Sequence, residues 1–257
     1  MTVAESPLTP SPAEGPTFYA RPAFLTRSRS RDWWTILHPP YTMLHLSLVS
    51  VGAFLAGPVN AVKWWATMLA FFLAVGVAAH CLDELNGRPL KTTIPAGQLV
   101  AGAILGLAGA VGLGVVGLFL VSPWLAVFIA AGVTAAVGYN LELFGGRLHT
   151  PAIFVTSWGA FPVLTAYFAQ HRTLSLAAVA AAVFAALVVL IQQLLSTPAR
   201  DLRRRVVAVD GTLRHSDGTA EEITRESLLR PLEGSLKALC WMGVVLAVAL
   251  ALHQFVR

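Results

Sequence analysis

The sequence predicts an all-α, polytopic transmembrane helix bundle with about seven crossings. Hydrophobic residues make up 56% of the 257 positions and charged residues 12%, which leaves too little polar surface for a soluble globule. Apolar stretches recur at about the ~20 residues that a helix needs to cross a hydrocarbon core. Short polar connections separate them. The stretches are 41–57, 62–81, 98–121, 124–143, 151–169, 174–196 and 235–255.

The distribution of basic residues predicts the orientation. With the N-terminus inside, only Lys63, Arg172 and Arg257 of the 18 Lys and Arg residues fall outside. The positive-inside rule therefore places the N-terminus in the cytoplasm and the C-terminus outside. We expect an integral protein of the cytoplasmic (inner) membrane. The pI near 9.7 then reflects topology, and no nucleic-acid partner is expected.

Two segments outside the apolar stretches have their own patterns. Residues 1–32 are rich in Pro, Ser and Ala and predict a disordered cytoplasmic tail, which leaves 33–257 as one membrane domain. The inner segment 197–234 predicts a small cytoplasmic cap. Valine-rich alternation around Asp210-Gly211 favours a β-hairpin, and Thr219 with Glu222 matches a capping box that opens a short helix. An ordinary surface loop is the alternative.

Small residues are concentrated in the stretch AGAILGLAGAVGLGVVG at 101–117. Such residues let helix backbones approach closely in lipid. We expect close packing within the bundle, and a dimerisation face is the alternative, so an oligomer is possible. Cys81 and Cys240 are expected to be packing residues without a disulfide.

Candidate metal ligands occur in AAHCLDELNGRP at 78–89, where the second crossing ends. On a continuing helix, His80, Asp83 and Glu84 share one face. Two carboxylates with an imidazole suit a divalent cation, and Mg²⁺ that also contacts phosphate oxygens is the expected ion. The alternative is a set of interfacial polar residues that end a helix.

These motifs resemble the UbiA-type intramembrane prenyltransferase superfamily. The resemblance runs through HPPYTMLHLSLVSVGAFLAG (38–57), AAHCLDELNGRP, IPAG (94–97), GYNLELFGG (138–146) and WGAFPVLTAYFAQ (158–170), in the family's order. It covers about residues 33–200. The resemblance implies an all-helical bundle whose diphosphate site faces the cytoplasm.

The chain departs from the family at both aspartate-rich motifs. With Asp83 on the middle aspartate of the first motif, His80 and Gly87 stand where the family has its other aspartates. The second motif should follow the sixth crossing, but in QQLLSTPARDLRRR (192–205) Asp201 is the only carboxylate. Family members also have more crossings than are predicted here.

The resemblance implies a divergent prenyltransferase that moves a prenyl group from an isoprenoid diphosphate to a lipophilic acceptor. Asp83 and Glu84 are the expected catalytic residues, with His80 as a further metal ligand. The alternatives are a non-catalytic relative that binds lipid or assists assembly and, less favoured, a small transporter. The expected substrate-binding residues are Asn86, Arg88, Lys91, Tyr139, Asn140, Glu142, Gln193 and Arg200.

The basic run Arg203 to Arg205 offers a replacement for the missing carboxylates. Arginine binds phosphate bidentately without a metal, so these side chains and Arg200 are candidates for the diphosphate site. The alternative is contact with anionic lipid headgroups, which basic runs beside a membrane commonly make.

Overall fold

The computed structural model describes residues 29–255, and this part of the chain is mostly helical. Five helices are long and apolar enough to cross a membrane, in agreement with the predicted helical membrane protein. Two further helices, Pro39–Leu55 and Leu125–Asn140, have 17 and 16 residues. The number of seven crossings therefore stays a prediction.

The helices follow the predicted apolar stretches. We number them α1 to α8 and the two strands β1 and β2. The helices are α1 (Arg29–Ile36), α2 (Pro39–Leu55), α3 (Ala61–Leu85), α4 (Ala96–Leu120), α5 (Leu125–Asn140), α6 (Pro151–His171), α7 (Leu176–Arg204) and α8 (Arg225–Phe255), and the strands are β1 (Thr212–Arg214) and β2 (Ala220–Glu222).

Local sequence explains where several helices begin. The side chain of Asn60 accepts a hydrogen bond from the Lys63 N–H and caps α3, and Ser175 caps α7 through the Ala178 N–H. Both side chains satisfy an amide that the first helical turn leaves unpaired. Two helices contain π-helical segments, Phe72–Ala79 in α3 and Thr156–Ala160 in α6.

Helix α2 lies at the centre of the bundle and packs against α6 and α8. Its residues Leu48, Val49 and Ala53 are almost fully buried. At Gly52 the backbone of Val163 comes so close that an added Cβ would lie 2.3 Å from its carbonyl oxygen. Glycine therefore lets α2 and α6 touch backbone to backbone.

The glycine-rich helix α4 packs closely on α3, as predicted for the stretch 101–117. A Cβ at Gly106 would lie 2.7 Å from the Leu73 carbonyl oxygen. The other side of α4 exposes large apolar side chains, such as Leu105 at 72% and Phe119 at 84%. Exposed apolar surface of this kind fits contact with lipid. Cys81 and Cys240 are buried, as expected for packing residues.

The predicted hairpin is present, but its turn lies elsewhere. Strands β1 and β2 pair antiparallel, and the chain reverses over 215–219 instead of at Asp210-Gly211. Asp217 accepts hydrogen bonds from the N–H and hydroxyl of Thr219, and Gly218 supplies a φ of 87°. Those hydrogen bonds lower the pKa of Asp217. The side-chain turn at Asp217 therefore decides where the chain folds back.

The capping box predicted at Thr219 and Glu222 is wrong, because Glu222 belongs to β2. The reciprocal cap lies at Thr224 and Ser227, where each side-chain oxygen accepts a hydrogen bond from the other's backbone N–H. It opens α8, which runs without a break from Arg225 to Phe255, so no separate short helix is formed.

The predicted cap segment 197–234 is shorter than expected. Helix α7 continues through Pro198 to Arg204, and α8 begins at Arg225. Only residues 205–224 form the connection.

Residues 1–28 of the predicted tail lie outside the described residues, and 29–32 belong to α1. Asp32 in α1 accepts hydrogen bonds from the N–H and hydroxyl of Thr93. The loop before α4 is therefore joined to α1.

Candidate functional site

A cavity of about 310 Å³ lies between α2, α3, α5, α6 and α7 at one end of the bundle. We call it the polar cavity, and the end that carries His38, Asp83 and Arg200 the charged end. The polar side chains in its wall are His38, Tyr41, His45, His80, Asp83, Tyr139, Asn140, His149, Gln192, Gln193, Ser196, Arg200 and Arg204.

Two arginines of α7 line the polar cavity. Arg200 and Arg204 are one helical turn apart and therefore share a face of the helix. Among the described residues, Asp83 of α3 is the one carboxylate in the same wall. The two guanidinium groups outnumber this carboxylate, which makes the cavity suited to an anion.

The other two members of the basic run do not reach the polar cavity. Arg203 forms an ion pair with Glu233 of α8, and Arg205 lies 3.7 Å from Asp201 with 84% of its side chain exposed. The cause is helical geometry, because α7 continues to Arg204 and successive residues point about 100° apart. Of the described candidates Arg203, Arg204 and Arg205, Arg204 is the one that lines the polar cavity, so a joint role of all three in a diphosphate site there is not supported.

Glu84 is turned away from the polar cavity and is fully buried. Its Oε2 accepts a hydrogen bond from the Leu90 N–H at 2.9 Å. Its Oε1 accepts from the N–H and the hydroxyl of Thr92, both at 2.8 Å. Glu84 holds the loop between α3 and α4, so its predicted place beside Asp83 as a catalytic residue is not supported.

The predicted metal set of His80, Asp83 and Glu84 is not brought together. Within residues 29–255 no group of three or more His, Cys, Asp or Glu side chains is arranged to hold a metal ion. His80 and Asp83 line the cavity, but Glu84 is committed to the loop. The cavity wall does not fit a cluster of magnesium ions, and Mg²⁺ stays a prediction that rests on Asp83.

The predicted residues of the loop after α3 do not line the polar cavity. Asn86 donates to the Asn140 carbonyl oxygen at 3.2 Å. Arg88 donates to the Ile94 carbonyl oxygen at 2.7 Å and so braces its own loop. Lys91 is exposed on that loop with a φ of 51°. Their predicted contact with diphosphate oxygens is not supported by these positions.

Besides Arg200, three of the predicted residues beyond this loop lie in the cavity wall. Tyr139, Asn140 and Gln193 line it, whereas Glu142 is exposed on the connection after α5. The Tyr139 ring stacks on His149, with ring centroids 4.3 Å apart. The Asn140 amide donates to the Ala136 carbonyl oxygen at 2.7 Å.

Sequence reasoning missed a set of aromatic and histidine residues on α2 and at its N-cap, His38. His38, Tyr41 and His45 all line the polar cavity. Burial, followed by the nearby His80 and the two arginines, lowers the pKa of His38 well below its ordinary value. The spacing 38, 41, 45 is that of one helix face and was a usable signal.

A second and larger cavity shares the wall residue Trp158 with the first. It has a volume of about 580 Å³, is lined almost wholly by apolar side chains of α3, α4, α5 and α6, and extends to Asn60 and Lys63 at the opposite end of the bundle. We call it the apolar cavity. Trp158 lines both cavities. We call the position of this shared residue the junction.

Comparisons with known proteins do not assign the chain to a family. No family model matches it, and no curated protein or solved structure does either.

Proposed function

We propose that the chain binds an isoprenoid diphosphate across the two cavities and transfers its prenyl group to a lipophilic acceptor. The observation that carries the proposal is the junction at Trp158, where a cavity with two arginines meets an apolar cavity of about 580 Å³. The diphosphate lies at Arg200 and Arg204. The prenyl chain extends past Trp158.

The chemistry of the head group suits two arginines. A guanidinium group donates two parallel hydrogen bonds to phosphate oxygens and keeps its charge at all relevant pH values. When the prenyl C–O bond breaks, negative charge develops on the departing diphosphate, and fixed cations at that position stabilise it. Mg²⁺, when bound, would neutralise further charge on the diphosphate, and Asp83 is the residue that would hold it.

The apolar cavity explains why the proposed ligand carries a prenyl chain. Each CH₂ group that leaves water contributes roughly 0.8 kcal/mol to binding, so a long prenyl chain is held mainly by the apolar cavity. Phe71, Phe128 and Phe161 in its wall offer apolar surface. Affinity for the diphosphate should therefore rise with chain length until the apolar cavity is filled.

In this proposal the bundle crosses the cytoplasmic membrane seven times, with the charged end in the cytoplasm. The distribution of Lys and Arg supports that orientation. A water-soluble diphosphate head would then enter from the cytoplasmic side.

A non-catalytic lipid-binding protein is the second candidate. Within residues 29–255, Asp83 is the one carboxylate that lines the polar cavity, which favours binding without metal-assisted ionisation. Such a protein would hold the same ligand and leave it unchanged.

The test uses the purified full-length protein in detergent with prenyl diphosphates of several chain lengths, with and without Mg²⁺. We expect saturable binding that strengthens with chain length. Release of diphosphate on addition of lipophilic acceptors would identify the enzyme, and binding without release would identify the non-catalytic protein. Absence of binding at every chain length would contradict both.

A further inference from the structure

His45 lies in the middle of the bundle with a defined tautomer. It is 4% exposed, and its Nδ1 is 3.1 Å from the carbonyl oxygen of Trp158. Because a carbonyl oxygen can only accept, Nδ1 must carry the hydrogen of this bond. In the neutral ring, Nε2 then has a lone pair and acts as an acceptor.

The Nε2 atom is buried and has no hydrogen-bond partner within the described part of the chain. Buried polar atoms are nearly always paired, so an unpaired acceptor beside a cavity indicates a missing donor. His45 lines the polar cavity, and its ring centroid lies 5.4 Å from that of Phe71, which lines the apolar cavity. The free acceptor thus belongs to a ring that lines the polar cavity and is hydrogen-bonded to Trp158, the residue at the junction.

We propose that His45 Nε2 accepts a hydrogen bond from the hydroxyl group of an uncharged lipid bound at this junction. The partner must donate a hydrogen, and a fully ionised diphosphate has none to offer. Arg200 and Arg204 provide the diphosphate with donors at the mouth of the polar cavity. His45 therefore selects a second kind of ligand, one with a hydroxyl group and an apolar body.

This inference rests on the proposed function only in naming that ligand as the acceptor of the prenyl group. The hydroxyl of the acceptor would be positioned by His45, while Arg200 and Arg204 hold the diphosphate. His45 is thus a specificity-determining residue for the acceptor.

The test compares geranylgeraniol with its methyl ether, which has the same chain but no hydroxyl hydrogen. We expect the wild-type protein to bind the alcohol about fivefold to tenfold more tightly, as befits one neutral hydrogen bond. Equal affinity of the wild-type protein for the two probes would overturn the inference without any variant.

Two variants locate the effect. The amide nitrogen of His45→Asn can still donate to the Trp158 carbonyl oxygen, but no acceptor stands at the Nε2 position. We expect its preference for the alcohol to fall to within about twofold, with affinity for the ether unchanged. His171→Asn, exposed at the opposite end, is the control and should keep the full preference. A full preference in His45→Asn would also overturn the inference.

Prenyl diphosphate binding, measured on the same samples, separates this inference from the proposed function. If the wild-type protein binds no diphosphate but prefers the alcohol through His45, the proposed function fails and the inference stands. If the wild-type protein binds the diphosphate but shows no preference for the alcohol, the inference fails and the proposed function stands.

Discussion

Arg203 of α7 donates a hydrogen bond from Nε to Glu233 Oε1 of α8, its Nη2 forms an ion pair with the same oxygen, and the pair joins the two helices at the charged end of the bundle. The side chains are 20% and 18% exposed. Arg203 therefore has a structural partner, whereas Arg200 and Arg204 on the same helix line the polar cavity.

The first prediction concerns the stability that this ion pair provides. Arg203→Gln and Glu233→Gln should each lower the free energy of unfolding in detergent micelles by about 1–3 kcal/mol, since each leaves a partly buried charge without its partner. The double variant should lose less than the sum of the two. Arg205→Gln, at an exposed site, is the control, and strictly additive losses would contradict the pairing.

The second prediction separates Glu84 from its neighbour Asp83. Glu84→Gln replaces one acceptor oxygen by an amide nitrogen, so at least one of the Leu90 and Thr92 N–H groups loses its partner. The free energy of unfolding should fall by about 1–3 kcal/mol. Asp83→Asn should leave stability near wild type and weaken Mg²⁺-dependent binding of a prenyl diphosphate. Thermal unfolding and ligand titration of both variants show whether Glu84 has the structural role and Asp83 the binding role.

For Glu84→Gln, the exposed Glu142→Gln is a matched control at the same end of the bundle. Unchanged stability of Glu84→Gln would show that the loop does not depend on this carboxylate. Metal-dependent affinity within twofold of wild type in Asp83→Asn would rule out a metal role for Asp83.

The third prediction tests the contact between α2 and α6. Gly52→Ala would place a Cβ 2.3 Å from the Val163 carbonyl oxygen, so the helices must separate. We expect a loss of about 1–3 kcal/mol in the free energy of unfolding, as is usual for overpacking. Gly97→Ala is the control, because nothing lies within 4 Å of its added Cβ. Equal stability of both variants would contradict the close approach.

The fourth prediction is the proposed topology. A reporter fused after Arg257 should behave as external, and one inserted near Asp217 as cytoplasmic. The reason is the excess of Lys and Arg on the segments assigned to the inside. Detection of both reporters on the same side would remove the model with seven crossings.

The positions of the helices could be predicted because an apolar helix in lipid must pair its backbone internally along its whole length. The stretches 98–121 and 151–169 correspond to α4 and α6. The charged ends of α7 and α8 were missed. Polar residues there continue the helices beyond the apolar stretches, and their stability depends on contacts such as Arg203 with Glu233.

The candidate site was predicted only in part. Helical spacing places His80, Asp83 and Glu84 within reach of one another. Glu84 instead accepts hydrogen bonds from Leu90 and Thr92 in the loop between α3 and α4, and the sequence does not reveal the path of that loop. Arg200 and Arg204 were both among the basic residues considered. Which of the four arginines from Arg200 to Arg205 face the polar cavity depends on the course of α7. This helix continues through Pro198, a residue that usually ends a helix.

We propose that Arg200 and Arg204 bind the diphosphate of a prenyl lipid. The most direct measurement is the ratio of affinities for geranylgeranyl diphosphate and geranylgeraniol in Arg200→Gln, Arg204→Gln and Arg205→Gln. Each charge-assisted contact is worth roughly 1.5–3 kcal/mol, so the first two variants should lower the ratio about tenfold or more, and Arg205→Gln should leave it unchanged. A ratio that stays at the wild-type value in Arg200→Gln and Arg204→Gln would contradict the claim.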